Sequence, residues 1–226
     1  MSNNSQVKPA DFHKQCITIV SKYVECHDPL VFDLIDRVKG VYAIRNTNTL
    51  ITIDGDPLFY LLKVKNSKGL YMHVSVTWEA PYNNASLDQN HRFEGISVQF
   101  LQGTGNVFCR AEWDVKKKEK LEHPQPHWHW GYVKTQNEKQ GFTVQGDGVE
   151  AKKAFVEETR EEESSLPSVD FKELHYAMAS KWVSHDSAVE DFNPQRLYNW
   201  LKNCVGNVID QYNYQVNKKS FESSRL

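Results

Sequence analysis

The sequence predicts an α+β fold in which helices near both ends of the chain flank an antiparallel β-sheet. Apolar residues recur with helical spacing near both ends, whereas through the middle of the chain they alternate with polar residues. The alternating segments are joined by short turns, and parallel pairing would need crossovers of about a dozen residues or more. We expect a single domain over residues 1–226, helical over 1–40, mainly sheet over 41–145 and mainly helical over 149–226.

Two helices are predicted within the first 40 residues. The first carries one apolar stripe at helical spacing, formed by Phe12, Cys16, Ile19, Val20 and Tyr23. Asp28 and Pro29 then supply an N-cap residue and a proline suited to the first turn of a helix. Gly40 is a suitable residue to end this second, shorter helix, whose apolar positions are Leu30, Val31, Leu34, Ile35 and Val38.

The segment 41–145 carries the period-two pattern of half-buried strands. Turn residues, such as those of 66–69 and 102–106, separate the alternating stretches. Strands are predicted at 41–45, 50–53, 58–65, 71–79, 93–101, 107–115 and 126–134.

The last part of the chain is predicted to be mainly helical. Charged residues dominate 149–163, which is typical of a solvated helix, while 171–183 fits either a strand or a helix. Asn193 and Pro194 supply the cap and first turn of the closing helix, where Phe192 can pack against a later apolar residue. The apolar positions of this helix are Leu197, Leu201, Cys204, Val205, Val208 and Tyr212.

Composition and charge are those of an ordinary globular protein. Hydrophobic residues make up 39% of the chain and charged residues 25%, and the net charge of −2 gives no overall attraction to nucleic acid or anionic membranes. The first residues lack the apolar core of a signal peptide, and no apolar run approaches the ~18 residues of a membrane span. We expect a cytoplasmic protein with free thiols, because no C-x-x-C pair occurs among Cys16, Cys26, Cys109 and Cys204.

The strongest functional signal is a histidine-rich segment at 122–130, Glu-His-Pro-Gln-Pro-His-Trp-His-Trp. His127 and His129 are two residues apart, so in a strand their imidazoles point to the same side of the sheet. Two imidazoles on one face can hold a metal ion or share acid–base work. The two prolines stiffen the approach of the chain to them.

A second strand is predicted to bring charged residues to the same surface. Arg110, Glu112 and Asp114 alternate with apolar residues, and we expect their strand to pair with the one that carries the histidines. Together these side chains predict a hydrolytic site, in which His127 and His129 hold a metal or transfer protons. Glu112 or Asp114 would complete the set, and Arg110 would stabilise developing negative charge.

A divalent transition metal such as zinc is the cofactor that this residue set would bind. Catalytic zinc takes three protein ligands and a water molecule, and the predicted ligands are His127, His129 and His123. The sequence leaves the third ligand open, since the alternatives are His73, His91, His175, Glu112 and Asp114. A mixed set of histidines and carboxylates would equally suit manganese or iron. Binding would weaken below about pH 6, where protons compete for the imidazoles.

Other interpretations fit the same residues. The histidines can form a metal-free acid–base or ligand site, or they can make ordinary hydrogen bonds in an aromatic-rich strand. The alternative function is a non-catalytic interaction module, which docks a partner protein or a second copy of the chain through an aromatic surface or its closing helix. The run 112–116 also resembles the acid-x-Lys pattern of nucleases, a pattern that occurs often by chance.

Overall fold

Antiparallel strand pairing organises the part of the chain that the structure describes. The computed structural model describes residues 6–46, 50–52, 60–79, 91–102, 106–114, 126–130, 143–145 and 193–223. Within these ranges lie two helices, α1 (Pro9–Val20) and α2 (Pro194–Ser223). The strands are β1 (Gln6–Val7), β2 (Val31–Asp36), β3 (Val41–Arg45), β4 (Leu50–Thr52), β5 (Leu62–Lys63), β6 (Leu70–Trp78), β7 (His91–Gln102), β8 (Asn106–Asp114), β9 (His127–Trp130) and β10 (Thr143–Gln145).

Eight of these strands form one sheet. Its central path runs β2-β3-β6-β7-β8-β9, with β1 paired to β7 and β5 paired to β6. Strands β4 and β10 form a separate two-stranded antiparallel sheet. Strands β6, β7 and β8 are neighbours both in the chain and in the sheet, and they pair antiparallel. The α+β class and the antiparallel sheet that the sequence predicts are therefore confirmed.

Helix α1 forms where the sequence places its first apolar stripe. Pro9 occupies the first turn, where the missing backbone N–H costs no helical hydrogen bond. Phe12, Cys16 and Val20 recur every four residues and are buried. The helix ends at Val20, and the backbone N–H of Ser21 donates to a carbonyl of the last turn over 2.9 Å. The first predicted helix is confirmed.

The second predicted helix is wrong, because residues 31–36 form strand β2 and pair antiparallel with β3. Aromatic and β-branched residues in this segment favour a pleated strand once a partner strand lies beside it. The turn that follows is held by the Asp36 carboxylate, which accepts hydrogen bonds from the backbone N–H groups of Val38 and Lys39, both at 3.0 Å. Gly40 has a φ of 66°, so it closes a hairpin turn rather than a helix.

Helix α2 begins as the sequence predicts. The side-chain oxygen of Asn193 accepts hydrogen bonds from the backbone N–H groups of Gln195 at 2.9 Å and Arg196 at 3.2 Å, which satisfies two donors of the first turn. Phe192 lies outside the described residues, so its packing stays a prediction. The apolar positions predicted to face the core are all buried, namely Leu197, Leu201, Cys204, Val205, Val208 and Tyr212.

Both helices pack on the same face of the sheet around an aromatic cluster. The ring centroid of Phe12 lies 5.5 Å from that of Trp78 in β6 and 5.3 Å from that of Phe93 in β7. It also lies 5.3 Å from the ring centroid of Tyr198 in α2. Rings in such tilted and edge-on arrangements attract each other beyond the effect of their burial. One core therefore joins α1, the sheet and α2.

The opposite face of the sheet, turned away from both helices, carries polar residues and is called the polar face below. Ser75, Ser97 and Glu112 stand side by side across β6, β7 and β8. Their neighbours along the strands, such as Val98 and Ala111, are buried in the core under the helices. One end of the polar face carries a small second apolar cluster, formed by Leu61, Tyr71, Leu101 and Val107.

Parts of the predicted secondary structure lie outside the described residues. These are the helix at 149–163, the ambiguous segment 171–183 and the continuation of the histidine strand after Trp130. The predicted strand 58–65 is described from residue 60 onward, and its sheet-paired part there is Leu62–Lys63. Within the described ranges, no helix is both long enough and apolar enough to cross a membrane.

Candidate functional site

Strands β8 and β9 pair antiparallel, which brings the charged and the histidine-bearing positions together. In this register Arg110 stands opposite His129, and Glu112 stands opposite His127. Trp128 packs against the core, so by strand alternation His129 belongs to the polar face. The predicted pairing of these two strands is confirmed.

Glu112 contacts His129 and Arg110 on the polar face. Its Oε2 lies 3.2 Å from Nε2 of His129, and its Oε1 lies 3.2 Å from Nε of Arg110. The Glu112 side chain is 16% exposed, whereas those of His129 and Arg110 are 43% and 36% exposed. The carboxylate therefore lies between an imidazole and a guanidinium that are both more open to solvent than it is.

The contact between Arg110 and Glu112 is an ion pair without the alignment of a hydrogen bond. Nε of Arg110 is shielded from solvent and has no well-aligned hydrogen-bond acceptor among the described residues. Its 3.2 Å separation from Glu112 Oε1 nevertheless lies within ion-pairing distance. Because solvent reaches the Arg110 side chain, the pair contributes little stability, and its main effect is on where the carboxylate lies.

Asp114 lies on the same side of β8 as Glu112 and rests over a glycine. A Cβ atom added to Gly95, the cross-strand partner of Asp114, would lie 2.6 Å from Asp114 Oδ1 and 3.2 Å from the Trp113 carbonyl oxygen. The missing side chain at position 95 therefore lets the carboxylate approach the strand closely. The second predicted carboxylate thus lies on the polar face, on the side of Glu112 away from Arg110.

The other predicted metal ligands are placed only in part. The backbone of His127 is fixed opposite Glu112. The side chain of His127, and the whole of His123 and His175, lie outside the described residues. Among the residues that are described, no three His, Cys, Asp or Glu side chains form a group that could hold a metal ion. The metal site therefore stays a prediction.

Two further histidines that the sequence offers as ligands have other neighbours. His73 is buried on β6, and its Nδ1 lies 3.2 Å from both the backbone nitrogen and the backbone oxygen of Tyr60. Burial lowers the pKa of His73 to about 4, although the hydrogen bond to Tyr60 opposes the shift. His91 begins β7 and pairs with Val7 of β1. Neither residue is a cross-strand neighbour of His129.

His13 is a buried histidine with a structural role. The indole N–H of Trp78 donates to Nε2 of His13 over 2.9 Å, and the His13 ring stacks on Phe32 with the centroids 4.0 Å apart. Desolvation by burial lowers the pKa of His13 to about 4. The ring therefore acts as a neutral hydrogen-bond acceptor inside the core.

A second charged cluster lies on the polar face and depends on strand β2, which the sequence did not predict. The Tyr60 hydroxyl donates to Oδ2 of Asp33 over 2.7 Å, and Nε of Arg45 donates to the same oxygen over 3.1 Å. The guanidinium carbon of Arg45 lies 6.0 Å from the centroid of the Tyr60 ring. Burial, followed by the hydrogen bond to Asp33, raises the pKa of Tyr60. This cluster ties the start of the 60–79 segment to the β2–β3 hairpin.

Comparisons with known protein families, with curated proteins and with solved structures give no significant match to this chain. Its function is therefore inferred from the side chains of the polar face. A carboxylate that accepts a hydrogen bond from one imidazole nitrogen fixes the tautomer and the orientation of that ring. In His129 the nitrogen that lies beside the carboxylate is Nε2, at 3.2 Å from Glu112 Oε2.

Proposed function

We propose that the chain is a hydrolase whose acid–base centre is the pair His129–Glu112 on the polar face. The observation that supports this most directly is the 3.2 Å contact between His129 Nε2 and Glu112 Oε2. An ionised carboxylate only accepts hydrogen bonds, so in the proposed resting state Nε2 carries the proton of a neutral imidazole. Nδ1 is then the basic nitrogen, on a side chain that is 43% exposed and open to water.

In the proposed reaction His129 acts as a general base toward water. Nδ1 takes a proton from the water molecule while the oxygen attacks a carbonyl or phosphoryl centre of the substrate. The imidazolium that forms is stabilised by the negative charge of Glu112. It then returns the proton to the leaving group, which restores the neutral ring.

Arg110 has two proposed roles in this site. Its ion pair with Glu112, with 3.2 Å between Nε and Oε1, holds the carboxylate in position. Its remaining N–H donors, on a side chain that is 36% exposed, can meet the negative charge that develops on the substrate. Asp114 is proposed as a second carboxylate, and His127 as a second imidazole beside Glu112.

A zinc-assisted form of the same site is the second candidate, and one distance favours it. Two ligand atoms on tetrahedral zinc, each about 2.05 Å from the metal, lie roughly 3.3 Å apart. His129 Nε2 and Glu112 Oε2 are 3.2 Å apart, so a single ion can take the place of the proton between them. His127 and His123 are the proposed further ligands.

Hydrolysis of chromogenic probes tests the proposal. Tag-free protein, purified without chelator, is assayed with p-nitrophenyl acetate, p-nitrophenyl phosphate and bis(p-nitrophenyl) phosphate. We expect His129→Gln and Glu112→Gln to lower the rate by about 100-fold or more, because each removes part of the general base. His27→Gln, at an exposed histidine after α1, is the matched control and should keep the wild-type rate. Equal rates in all variants would overturn the proposal.

Elemental analysis of the same preparations separates the two forms of the site. About one equivalent of zinc, lost in His129→Gln, would support the metal-assisted form. Without metal, nitrogen NMR of the neutral His129 ring is expected to show Nε2 protonated and Nδ1 unprotonated. If neither hydrolysis nor metal uptake is found, the interaction module becomes the favoured function. Its docking surface would then include exposed apolar residues such as Tyr214 of α2, which is 67% exposed.

We also propose a cytoplasmic location, because the reducing environment of the cytoplasm would keep cysteines as free thiols. All four cysteines are free thiols, and Cys16, Cys109 and Cys204 are buried. Burial raises the pKa of each of these three thiols, which keeps them protonated and unreactive. Cell fractionation of a tagged chain tests the location.

A further inference from the structure

A buried hydroxyl beside the proposed site has no hydrogen-bond partner in the part of the chain that the structure describes. The Oγ atom of Ser97 is shielded from solvent, and no described residue forms a hydrogen bond with it. Buried polar atoms are nearly always paired, because an atom that has left water without finding a partner destabilises the fold. The neighbours of Ser97 therefore decide what this hydroxyl can bind.

Ser97 stands on β7 between Glu112 of β8 and Ser75 of β6. Directly opposed residues have Cβ atoms about 4.5–5.5 Å apart, so rotation about χ1 turns the hydroxyl toward one neighbour or the other. The Glu112 carboxylate is the stronger acceptor of the two, because hydrogen bonds to a charged group are roughly twice as strong as neutral ones.

The Glu112 carboxylate gains from a further donor. An ionised carboxylate offers about four acceptor positions, so the Ser97 hydroxyl can add a donor to the contacts of Glu112, among which are those with His129 and Arg110. Both contacts measure 3.2 Å, longer than the roughly 2.7–2.9 Å of strong charge-assisted bonds. If His129 turns toward a substrate during the reaction, Glu112 loses its contact with the imidazole and keeps the one with Arg110.

We infer that Ser97 is a positioning residue, whose hydroxyl donates to Glu112 and keeps its carboxylate directed at His129 during the reaction. This inference rests on the proposed function, because it concerns the same carboxylate. The hydroxyl proton stays on Ser97 throughout, and no covalent bond forms or breaks there. As His129 becomes protonated, Ser97 and Arg110 hold Glu112 beside it.

A double-mutant cycle on unfolding tests the contact without any substrate. Ser97→Ala, Glu112→Gln and the combined variant are unfolded in urea, and a matched cycle replaces Ser97→Ala with Ser75→Ala. We expect the Ser97–Glu112 cycle to show a coupling of about fivefold or more in the unfolding equilibrium constant, with additive effects in the Ser75–Glu112 cycle. Additive effects in both cycles, or coupling in the Ser75 cycle alone, would overturn the inference.

Steady-state hydrolysis of the most reactive p-nitrophenyl probe gives a second readout. Ser97→Ala is expected to lower kcat about tenfold with KM unchanged, because the carboxylate must be held most firmly while charge develops on His129. Ser97→Thr keeps a hydroxyl on a residue that strands accommodate well, so its kcat should return to the wild-type value. The control variant Ser75→Ala should also have the wild-type kcat. A loss that Ser97→Thr does not rescue assigns the effect to packing and contradicts the inference. Full activity of His129→Gln would instead refute the proposed function, while the unfolding cycle still reports on Ser97.

Discussion

The chemistry of a histidine in this chain is set by its surroundings. His13 and His73 are 5% and 2% exposed, and burial lowers the pKa of each to about 4. His129 is 43% exposed and lies 3.2 Å from a carboxylate oxygen. An imidazole must be accessible and oriented to exchange protons with a substrate, so His129 has the surroundings that the proposed acid–base role requires.

The Tyr60→Phe substitution is expected to destabilise the fold by about 1 kcal/mol. It removes the hydroxyl that donates to Asp33 over 2.7 Å, while the ring keeps its packing. The effect stays modest because the Asp33 side chain is 43% exposed and water can replace the lost donor. Urea unfolding measures the change, and Tyr214→Phe, at a ring that is 67% exposed, should stay within about 0.5 kcal/mol of wild type. Equal stability of the two variants would show that the Asp33 contact contributes nothing.

At the level of single residues, the sequence predicts which side chains share a face but not which of them meet. Alternation along two strands places Arg110, Glu112 and His129 together, as the register confirms. Alternation does not reveal that one carboxylate contacts both of the others, because that depends on side-chain torsions. Ser97 was missed because a serine between Ile96 and Val98 has the pattern of any half-exposed strand.

Among the elements, α2 and β2 show where local sequence signals succeed and where they fail. The cap of α2 is made by Asn193 with backbone groups two and three residues away, so a short stretch of sequence contains all of it. Residues 31–36 have apolar positions that fit either period, and their structure is decided by pairing with β3. A partner strand that lies farther along the chain overrides a local cap signal.

The Asn193→Ala substitution is expected to lower the stability of the fold by about 1 kcal/mol. It leaves the backbone N–H groups of Gln195 and Arg196 without the side-chain oxygen that now accepts from them. Asn193→Ser keeps a capping oxygen and should recover most of the loss. Asn203→Ala, at an exposed position inside α2, is the matched control, and it should be neutral or slightly stabilising because alanine favours helices. Thermal unfolding measures the stability of each variant. If Asn203→Ala lowers the stability as much as Asn193→Ala does, the capping role is contradicted.

Across the whole molecule, the sheet divides two different environments. Its core face is covered by α1 and α2, whereas its polar face carries the His129–Glu112–Arg110 contacts. A buried neutral histidine belongs to each side, since His13 of α1 packs against the core face and His73 lies on the polar face. Acid should therefore weaken the fold from both faces of the sheet.

The folded chain is expected to lose stability as the pH falls from about 6.5 to about 4. In the unfolded chain both His13 and His73 take up protons below about pH 6.5, whereas burial holds both pKa values near 4 in the fold. Because the unfolded state binds these protons first, each histidine lowers the free energy of unfolding by about 2 kcal/mol between about pH 7 and pH 5. The loss is complete only below about pH 4, once the folded rings are also protonated.

Urea unfolding at a series of pH values measures this dependence. His13→Gln keeps a hydrogen-bond acceptor but does not titrate, so it should remove about half of the acid-dependent loss. His27→Gln changes an exposed histidine and should leave the dependence as it is in wild type. A stability that stays constant between about pH 7 and pH 5 would contradict the burial of both rings.

Helix α1 precedes all strands of the large sheet except β1 in the chain, whereas α2 follows every strand that the structure describes. A ribosome therefore releases α1 and the strands well before α2 emerges. Until then Trp113 of β8 lacks the ring of Trp200, which it meets edge-on at 5.8 Å in the finished fold. The growing chain passes through a stage in which the apolar side of its sheet is open to chaperones and to self-association, and this stage ends when α2 docks.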